Sequence, residues 1–400
     1  MILRARTIVT MDGPPIDDGA VVVAGNQIAD IGSFAEVHAH HGGEVFDLGE
    51  QVILPGLVNA HCHLDYTCLR RQIPPQGSFT DWIRTINAAK ASLSTADYIE
   101  SIRNGFEEAQ RFGTTSIGNI ASLPHLVSDI GVPPLRTWWF AELIDLRKPI
   151  DADRVLRDLR AHRLPSLDVG LSPHAPFTAS AELYARVAAI ARDQGVCVTT
   201  HVAESTEEMQ MFASRSGALS EFISGIRPMD AAFGAVTPLA WMLNSCQPDE
   251  HWIVAHLNEL TGNDLELLAV GPRFHVVHCP RSHAYFRHSR FQLENLRALG
   301  LNICLGTDSL ASNTSLSMFD EMRAMQRSFA SLSPLEILAM ATVNGATALN
   351  RPNALGRVRA GFTADLIALP ISGAGDIFEK IIAFDQPVTW TMIDGTAIPR

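Results

Sequence analysis

Eight short apolar runs separated by amphipathic stretches fill most of this 400-residue chain and constrain its fold more than any other feature. They are Val52–Ala60, Thr114–Asn119, Arg136–Glu142, Leu167–His174, Val196–His201, His251–His256, Phe274–His278 and Leu301–Asp308. Near-continuous apolar runs suit strands buried on both faces, the environment of a parallel sheet. Helical patterns fall between them, at Thr95–Gln110, Ala181–Arg192, Leu260–Leu268 and Ser317–Arg327. Eight strands alternating with helices over about 250 residues predict an α/β fold, the (β/α)8 TIM barrel. The stretch Ser205–Cys246 is longer than one crossover needs and predicts an insertion.

The two ends read differently. Strand patterns at Ile2–Val9, Ala20–Val23 and Gln27–Ile31, broken by Gly, Pro and Asp, predict a small antiparallel sheet. After Asp308 come two helices, the second near Pro334–Leu349, and a strand-rich tail from Arg357 to Ile398. Pairing of that tail with the N-terminal strands would give a small β-sandwich domain from 1–53 and 357–400. The barrel domain would then span 54–356.

Three of the runs end in residues that carry chemistry. In His61-Cys62-His63 the two imidazoles are i and i+2 on a strand, so both face one space. Neutral imidazole is the commonest protein ligand for zinc-class metals. His201-Val-Ala-Glu204 closes the fifth run and Gly306-Thr-Asp308 the eighth. A carboxylate after an apolar strand can simply cap the next helix, and an H-x-H is often incidental. The C-terminal ends of barrel strands are nonetheless where such barrels build active sites. Together His61, His63, His201 and Asp308 make a ligand set for one divalent ion, with a water completing it.

Several longer strings carry a resemblance. Leu54-Pro-Gly-Leu-Val-Asn-Ala-His61-Cys-His63 resembles the P-G-x-x-x-x-H-x-H opening of the amidohydrolase superfamily. His201-x-x-Glu204, Ala255-His256, His278-Cys-Pro-Arg-Ser282 and Gly306-Thr-Asp-Ser-Leu-Ala-Ser-Asn313 resemble motifs of its metal-dependent deaminase branch, in order. That branch holds cytosine and guanine deaminases, adenosylhomocysteine deaminases and triazine hydrolases. Gly361-Phe-Thr-Ala-Asp365-Leu-Ile resembles the closing segment, so the resemblance spans nearly the whole chain. Binuclear members carry a bridging Lys on the fourth strand. This fourth run ends Leu171-Ser-Pro-His174, and no Lys lies between Lys148 and Lys380, which implies one metal. The usual Asn after the seventh-strand Ser is replaced by His283.

The resemblance implies roles. One divalent ion, zinc with iron or manganese as alternatives, would lower the pKa of a bound water. Asp308 would orient that water and take its proton, and Glu204 would pass a proton to a ring nitrogen and on to the departing amine. His256 would polarise the reacting centre. The plainer alternative for Glu204 is the start of the next helix, and for His256 a structural role. Substrate contacts are expected from His174, Trp82 by stacking, Arg84 on an acidic substituent, Glu142 on sugar hydroxyls or a ring N–H, and Ser309. Gly77-Ser-Phe-Thr-Asp-Trp-Ile-Arg84 together with His278-Cys-Pro-Arg-Ser-His-Ala-Tyr-Phe286 is most similar to aminofutalosine deaminases, which act on a carboxylated adenine nucleoside. The alternatives are another purine deaminase, a triazine chlorohydrolase or aminohydrolase, and a cyclic amide hydrolase.

Composition excludes other classes. A net charge of −12 argues against nucleic acid as partner, because phosphate binding needs clustered Lys and Arg. No window approaches the roughly 18 consecutive apolar residues of a membrane span. With no apolar leader pattern and six scattered cysteines, a cytoplasmic enzyme with reduced thiols and a small-molecule substrate is expected. A homodimer is the base-rate expectation for its assembly. His38, His40 and His41 cluster before the barrel and are read as a solvated turn.

Overall fold

The computed structural model describes residues 1–162, 167–230, 232–371 and 373–399. Its larger sheet is parallel and contains the eight barrel strands: β1 Leu57–His63, β2 Thr114–Ala121, β3 Arg136–Leu143, β4 Leu167–Pro173, β5 Cys197–Val202, β6 Trp252–His256, β7 His275–His278 and β8 Asn302–Leu305. Each strand pairs with its sequence neighbour, as right-handed strand–helix–strand units require. Helix starts are written locally. Ser94 and Thr261, for example, cap their helices through reciprocal bonds with Asp97 and Asp264.

The eighth run, expected as one strand to Asp308, is broken in two, and the break closes the barrel. Asn302–Leu305 pairs with β7, whereas Asp308–Ser309 pairs with β1, opposite Cys62 and His63. At the step between them Gly306 N–H donates to the His278 carbonyl and Thr307 N–H to that of His61, each at 3.0 Å. A Cβ on Gly306 would stand 2.7 Å from the His61 carbonyl oxygen, so only glycine lets the chain cross there.

The first run also divides. Val52–Pro55 leaves the barrel and pairs antiparallel with Leu366–Leu369, while β1 starts at Leu57. Gly56 is the hinge: its N–H donates to the Asp365 carbonyl at 2.9 Å, and a side chain there would collide with Thr115. The terminal sheet thus takes strands from both ends of the chain, in one hydrogen-bonded path of Thr396–Ala397, Trp390–Ile393, Leu366–Leu369, Val52–Pro55, Ile2–Ile8, Ile16–Ala24 and Gln27–Ser33. It is mixed rather than antiparallel, because Ile2–Ile8 runs parallel to both Val45–Asp47 and Val52–Pro55.

The insertion is helical, with Thr206–Ser214, Ala218–Ser224 and Pro238–Ser245 following β5. The helix expected over Pro334–Leu349 is two, Pro334–Met340 and Val343–Ala348. His38 and His40 lie on a helix, Phe34–His40, not in a turn; Ser33 and Glu36 form its capping box, and His41 after it bonds Asp30 at 2.7 Å. All six cysteines are free. Among the described residues no helix is long and apolar enough to cross a membrane.

One buried cluster joins Val58, Ala60, Ile120, Phe140, Ile253, Ala255, Val277 and Cys304 with Ala346 and Leu349. The barrel is therefore packed, and a ligand can enter only where the strand ends leave polar groups uncovered.

Candidate active site

Four imidazoles meet at that end. His61 and His63 leave β1 on one side, His201 comes from β5, and His256 is the last residue of β6. The His61 ring centroid is 5.1 Å from that of His63, 5.0 Å from His201 and 5.8 Å from His256. Nε2 of His201 lies 3.3 Å from Nε2 of His63. Nδ1 of His201 donates to the His174 carbonyl at 2.7 Å, which puts the ring's proton on Nδ1 and leaves the Nε2 lone pair facing the cluster. Neither ring nitrogen of His61 has a protein partner. Burial, then the neighbouring His201, pulls its pKa down to about 3. Burial and His61 likewise hold His63 well below the usual histidine range. Neutral buried imidazoles with orphaned, converging nitrogens fit a bound divalent cation, which supplies the partner they lack.

Asp308 completes this set. Its Oδ1 is 3.9 Å and 3.7 Å from Nε2 of His61 and His63. Its Oδ2 accepts from the hydroxyls of Ser282 at 2.5 Å and Ser312 at 3.2 Å. Burial works against its charge, but His256, His63, His61 and the Ser282 hydroxyl outweigh it and hold the carboxyl below the usual range. Glu204 is pushed the other way. Burial first, then the charges of Asp308 and Glu208, hold it well above the usual carboxylate range. Its Oε1 lies 3.7 Å from Nε2 of His256, which burial keeps neutral. Two carboxyl groups whose surroundings separate their pKa values are suited to opposite proton-handling roles.

The backbone that aims these groups is strained. Ala203, His256, Leu257 and Asp308 all have positive φ, at 51°, 75°, 47° and 55°. Each is at or just past a strand end, where a left-handed residue turns the chain out of the sheet. Such non-glycine outliers cost of order 1–3 kcal/mol each and gather at functional sites.

A cavity of about 530 Å³ opens onto this floor. His63, His201, Glu204, His256, Asp308 and Ser309 line its base, and His61 is buried behind them. Trp82, Glu142 and His174 line it as expected from the sequence, His174 with its Nδ1 bonded to Thr178 Oγ1 at 2.7 Å. Arg84 does not line it. On the helix Phe79–Lys90 the residues facing the cavity are Phe79, Trp82, Ile83, Ile86, Asn87 and Lys90, and Arg84 is turned away from that stripe. It is half-exposed, 3.2 Å from Asp81 and 5.6 Å from the Phe222 ring.

The sequence reading missed two cations and one wall. Lys90 closes the helix with its ammonium 4.7 Å from the Tyr66 ring, and Arg147 follows β3. Among the described residues neither forms an ion pair, although Lys90 lies near enough to Asp65 to lower its pKa. The i, i+4, i+8 spacing of Trp82, Ile86 and Lys90 carried a signal for Lys90. No periodicity pointed to Arg147. Phe222, Ile223 and Ile226 form an apolar wall from the insertion, which has no strand to anchor a reading from sequence.

A barrel with a buried histidine–aspartate cluster able to hold a metal at its strand ends, and a further buried carboxyl, Glu204, beside it, has the makings of a metal-dependent hydrolase. The chain belongs to the amidohydrolase family, whose model matches residues 52–398. Deaminases are among its relatives. It is 30% identical over 400 residues to a 5-methylthioadenosine/S-adenosylhomocysteine deaminase of Nitratidesulfovibrio vulgaris, covering 93% of this chain and 84% of the relative. The Helicobacter pylori aminofutalosine deaminase, solved with methylthio-coformycin, superposes with a TM-score of 0.86 at 22% identity, covering both chains completely. An adenosine deaminase from Xanthomonas campestris with bound zinc gives 0.84 at 23% identity, over 99% of this chain and 92% of that one. These likenesses establish a shared fold.

Proposed function

We propose that this hydrolase removes the exocyclic amino group of an adenine nucleoside derivative carrying an anionic substituent, in an aminofutalosine-like reaction. The observation that carries the reading is geometric: in one cavity, the donors of His61, His63 and His201 converge beside Asp308, with the buried Glu204 carboxyl next to them and 3.7 Å from His256.

One divalent ion, zinc in this reading with iron or manganese suited to the same donors, would be held by His61, His63, His201 and Asp308 and would make water more acidic as a Lewis acid. The protein's own groups do the rest. Asp308, with Oδ2 fixed by two serines, orients the attacking water and accepts its proton. Glu204 gives its proton to the ring nitrogen beside the attacked carbon, which removes the charge that would otherwise build there. His256, 3.7 Å from Glu204, holds the new oxygen substituent. The proton taken by Asp308 then goes to the amine, which leaves as ammonia while the new hydroxyl returns its proton to Glu204, so water and substrate become the oxo-purine and ammonia.

Several features support the nucleoside. Trp82 and Phe177 offer aromatic faces to a planar ring, and Glu142 and His174 offer polar atoms to ring and sugar groups. Lys90 and the exposed Arg147 line the cavity without an ion pair, which favours a substrate that brings its own negative charge. A triazine or guanine would leave those cations without a partner.

The test is ammonia release from metal-loaded protein given adenosine, S-adenosylhomocysteine, methylthioadenosine, 5′-carboxyaryl adenosines, guanine, cytosine and triazines. Turnover of carboxylated adenosines above the neutral ones is expected. Preference for guanine or a triazine, or no ammonia from any of them, would overturn the reading.

A further inference from the structure

Glu204 is in neither a strand nor a helix. β5 ends at Val202, Ala203 turns left-handed, and the helix Thr206–Ser214 starts only after the cap at Ser205. Its peptide groups therefore lack regular partners, and two side chains supply them. Its N–H donates to Glu208 Oε2 at 2.8 Å, and its carbonyl accepts from Asn258 Nδ2 at 3.1 Å. Asn258 is 2% exposed and sits just past the left-handed pair His256-Leu257 at the end of β6.

A buried asparagine can face a carbonyl only with its NH2 end, and something must select that orientation. His283 does so: its Nδ1 lies 3.0 Å from Asn258 Oδ1. With Nδ1–H as donor, the amide oxygen of Asn258 is committed to His283 and its NH2 to Glu204. His283 does not line the cavity. Its neighbour Ser282, on the same helix Pro280–Phe286, donates to Asp308. Two consecutive residues thus act on the two residues that carry these carboxyls: Ser282 bonds the Asp308 carboxyl directly, and His283 holds the main chain of Glu204 through Asn258.

We infer that His283 is a positioning residue: through Asn258 it fixes the peptide of Glu204 and hence the reach of its carboxyl to the reacting ring. The inference rests on the role given to Glu204 above. Asparagine at this position would present an N–H at the same distance from the backbone and could make the same bond to Asn258.

The experiment compares His283→Ala, His283→Asn, Asn258→Ser and the His283→Ala/Asn258→Ser double variant as metal-loaded enzymes on the best substrate. A small displacement of a catalytic group costs on the order of 10- to 100-fold, so kcat of His283→Ala should fall by that amount. KM and bound metal should stay at the wild-type level. His283→Asn should recover most of the kcat, and the double variant should be no slower than the slower single one, because both break one chain of contacts. Undiminished kcat in His283→Ala, additive losses, or a loss that asparagine does not rescue would each overturn the inference. If His283→Ala does not fold, Asn258→Ser carries the same test, and wild-type kcat there overturns it. Glu204→Gln separates the two levels. An active Glu204→Gln sinks the functional reading itself, whereas an inactive one beside a fully active His283→Ala sinks only the positioning.

Discussion

His201 Nδ1 is bonded at 2.7 Å to the main-chain carbonyl of His174, not to its side chain. The tautomer of a metal-ligating imidazole is therefore set by the backbone at the end of β4, and the His174 ring is left free to face the cavity. This separates two kinds of damage. His201→Ala should lose most of its metal, whereas His174→Ala should keep near-stoichiometric metal and lose kcat/KM. Outer partners of metal ligands typically contribute about 10- to 100-fold in metal affinity, and here that contribution survives removal of the His174 ring. Metal analysis after dialysis reads the difference; equal metal loss in the two variants would contradict it.

Glu208 gives the fold a pH dependence of definite sign. It is fully buried, with Oε2 accepting from Glu204 N–H and Oε1 without a partner. Burial, opposed by the backbone groups of Glu204, Ala203 and Ser205, pushes its pKa from 4.5 up to about 8. A carboxyl raised on folding binds more protons in the native than in the unfolded chain between those values. Its contribution to stability is thus fully present below about pH 4.5 and is lost as pH rises through about 8. Glu208→Gln keeps the accepting oxygen and cannot ionise. Its melting temperature should fall less than that of wild type between pH 6 and pH 9 (roughly the upper part of that window). Parallel melting curves for the two proteins would count against the assignment.

How much of this was legible beforehand follows from the kind of signal involved. Barrel strands are apolar end to end because both faces are covered, so all eight runs could be read, and with them the histidines and the aspartate that the fold gathers at their ends. The breaks at Gly56 and Gly306 were not. Both fall inside apolar runs, and only the contacts of Gly56 with Thr115 and of Gly306 with His61, distant in sequence, reveal them. Arg84 and Lys90 illustrate the limit for side chains. Both are cations on one helix, and nothing local says which side of it faces the cavity until the helix is docked. The bond from Asn258 to Glu204 joins two loops that no periodicity governs.

Lys90 and Arg147 should decide which nucleosides are accepted. Among the described residues neither forms an ion pair, although Lys90 lies near enough to Asp65 to lower its pKa, and Arg147 is exposed at the cavity rim, so both can still meet a ligand's charge. Hydrogen bonds to charged groups contribute about 1.5–3 kcal/mol, equivalent to roughly 10- to 100-fold. Lys90→Met and Arg147→Met should each lower the kcat/KM ratio of carboxylated to neutral adenosines by that factor, mainly through KM. Arg84→Met, outside the cavity and bound to Asp81, should leave the ratio where it was. A ratio that moved with Arg84 and not with the other two would reverse the assignment.

Gly306 links barrel closure to the metal ligands. The chain passes so close to β1 that an added Cβ would meet the His61 carbonyl oxygen at 2.7 Å, the His61 Cβ at 2.9 Å and a Val277 methyl at 3.0 Å. None of these is the far end of a flexible side chain, so relief must come from moving β1 or the Gly306-Thr307 step. Either movement stretches the bonds from Gly306 to His278 and from Thr307 to His61, and shifts Asp308 relative to His61 and His63. Overpacking of this kind typically costs about 1–3 kcal/mol. Gly306→Ala should therefore lower the melting temperature and weaken metal binding together, although residue 306 carries no ligand atom. A control at Gly262, where an added Cβ meets nothing within 4 Å, should do neither. Full metal affinity in a destabilised Gly306→Ala would show that the barrel can close on a shifted strand without disturbing the ligands, and that the coupling described for this glycine is wrong.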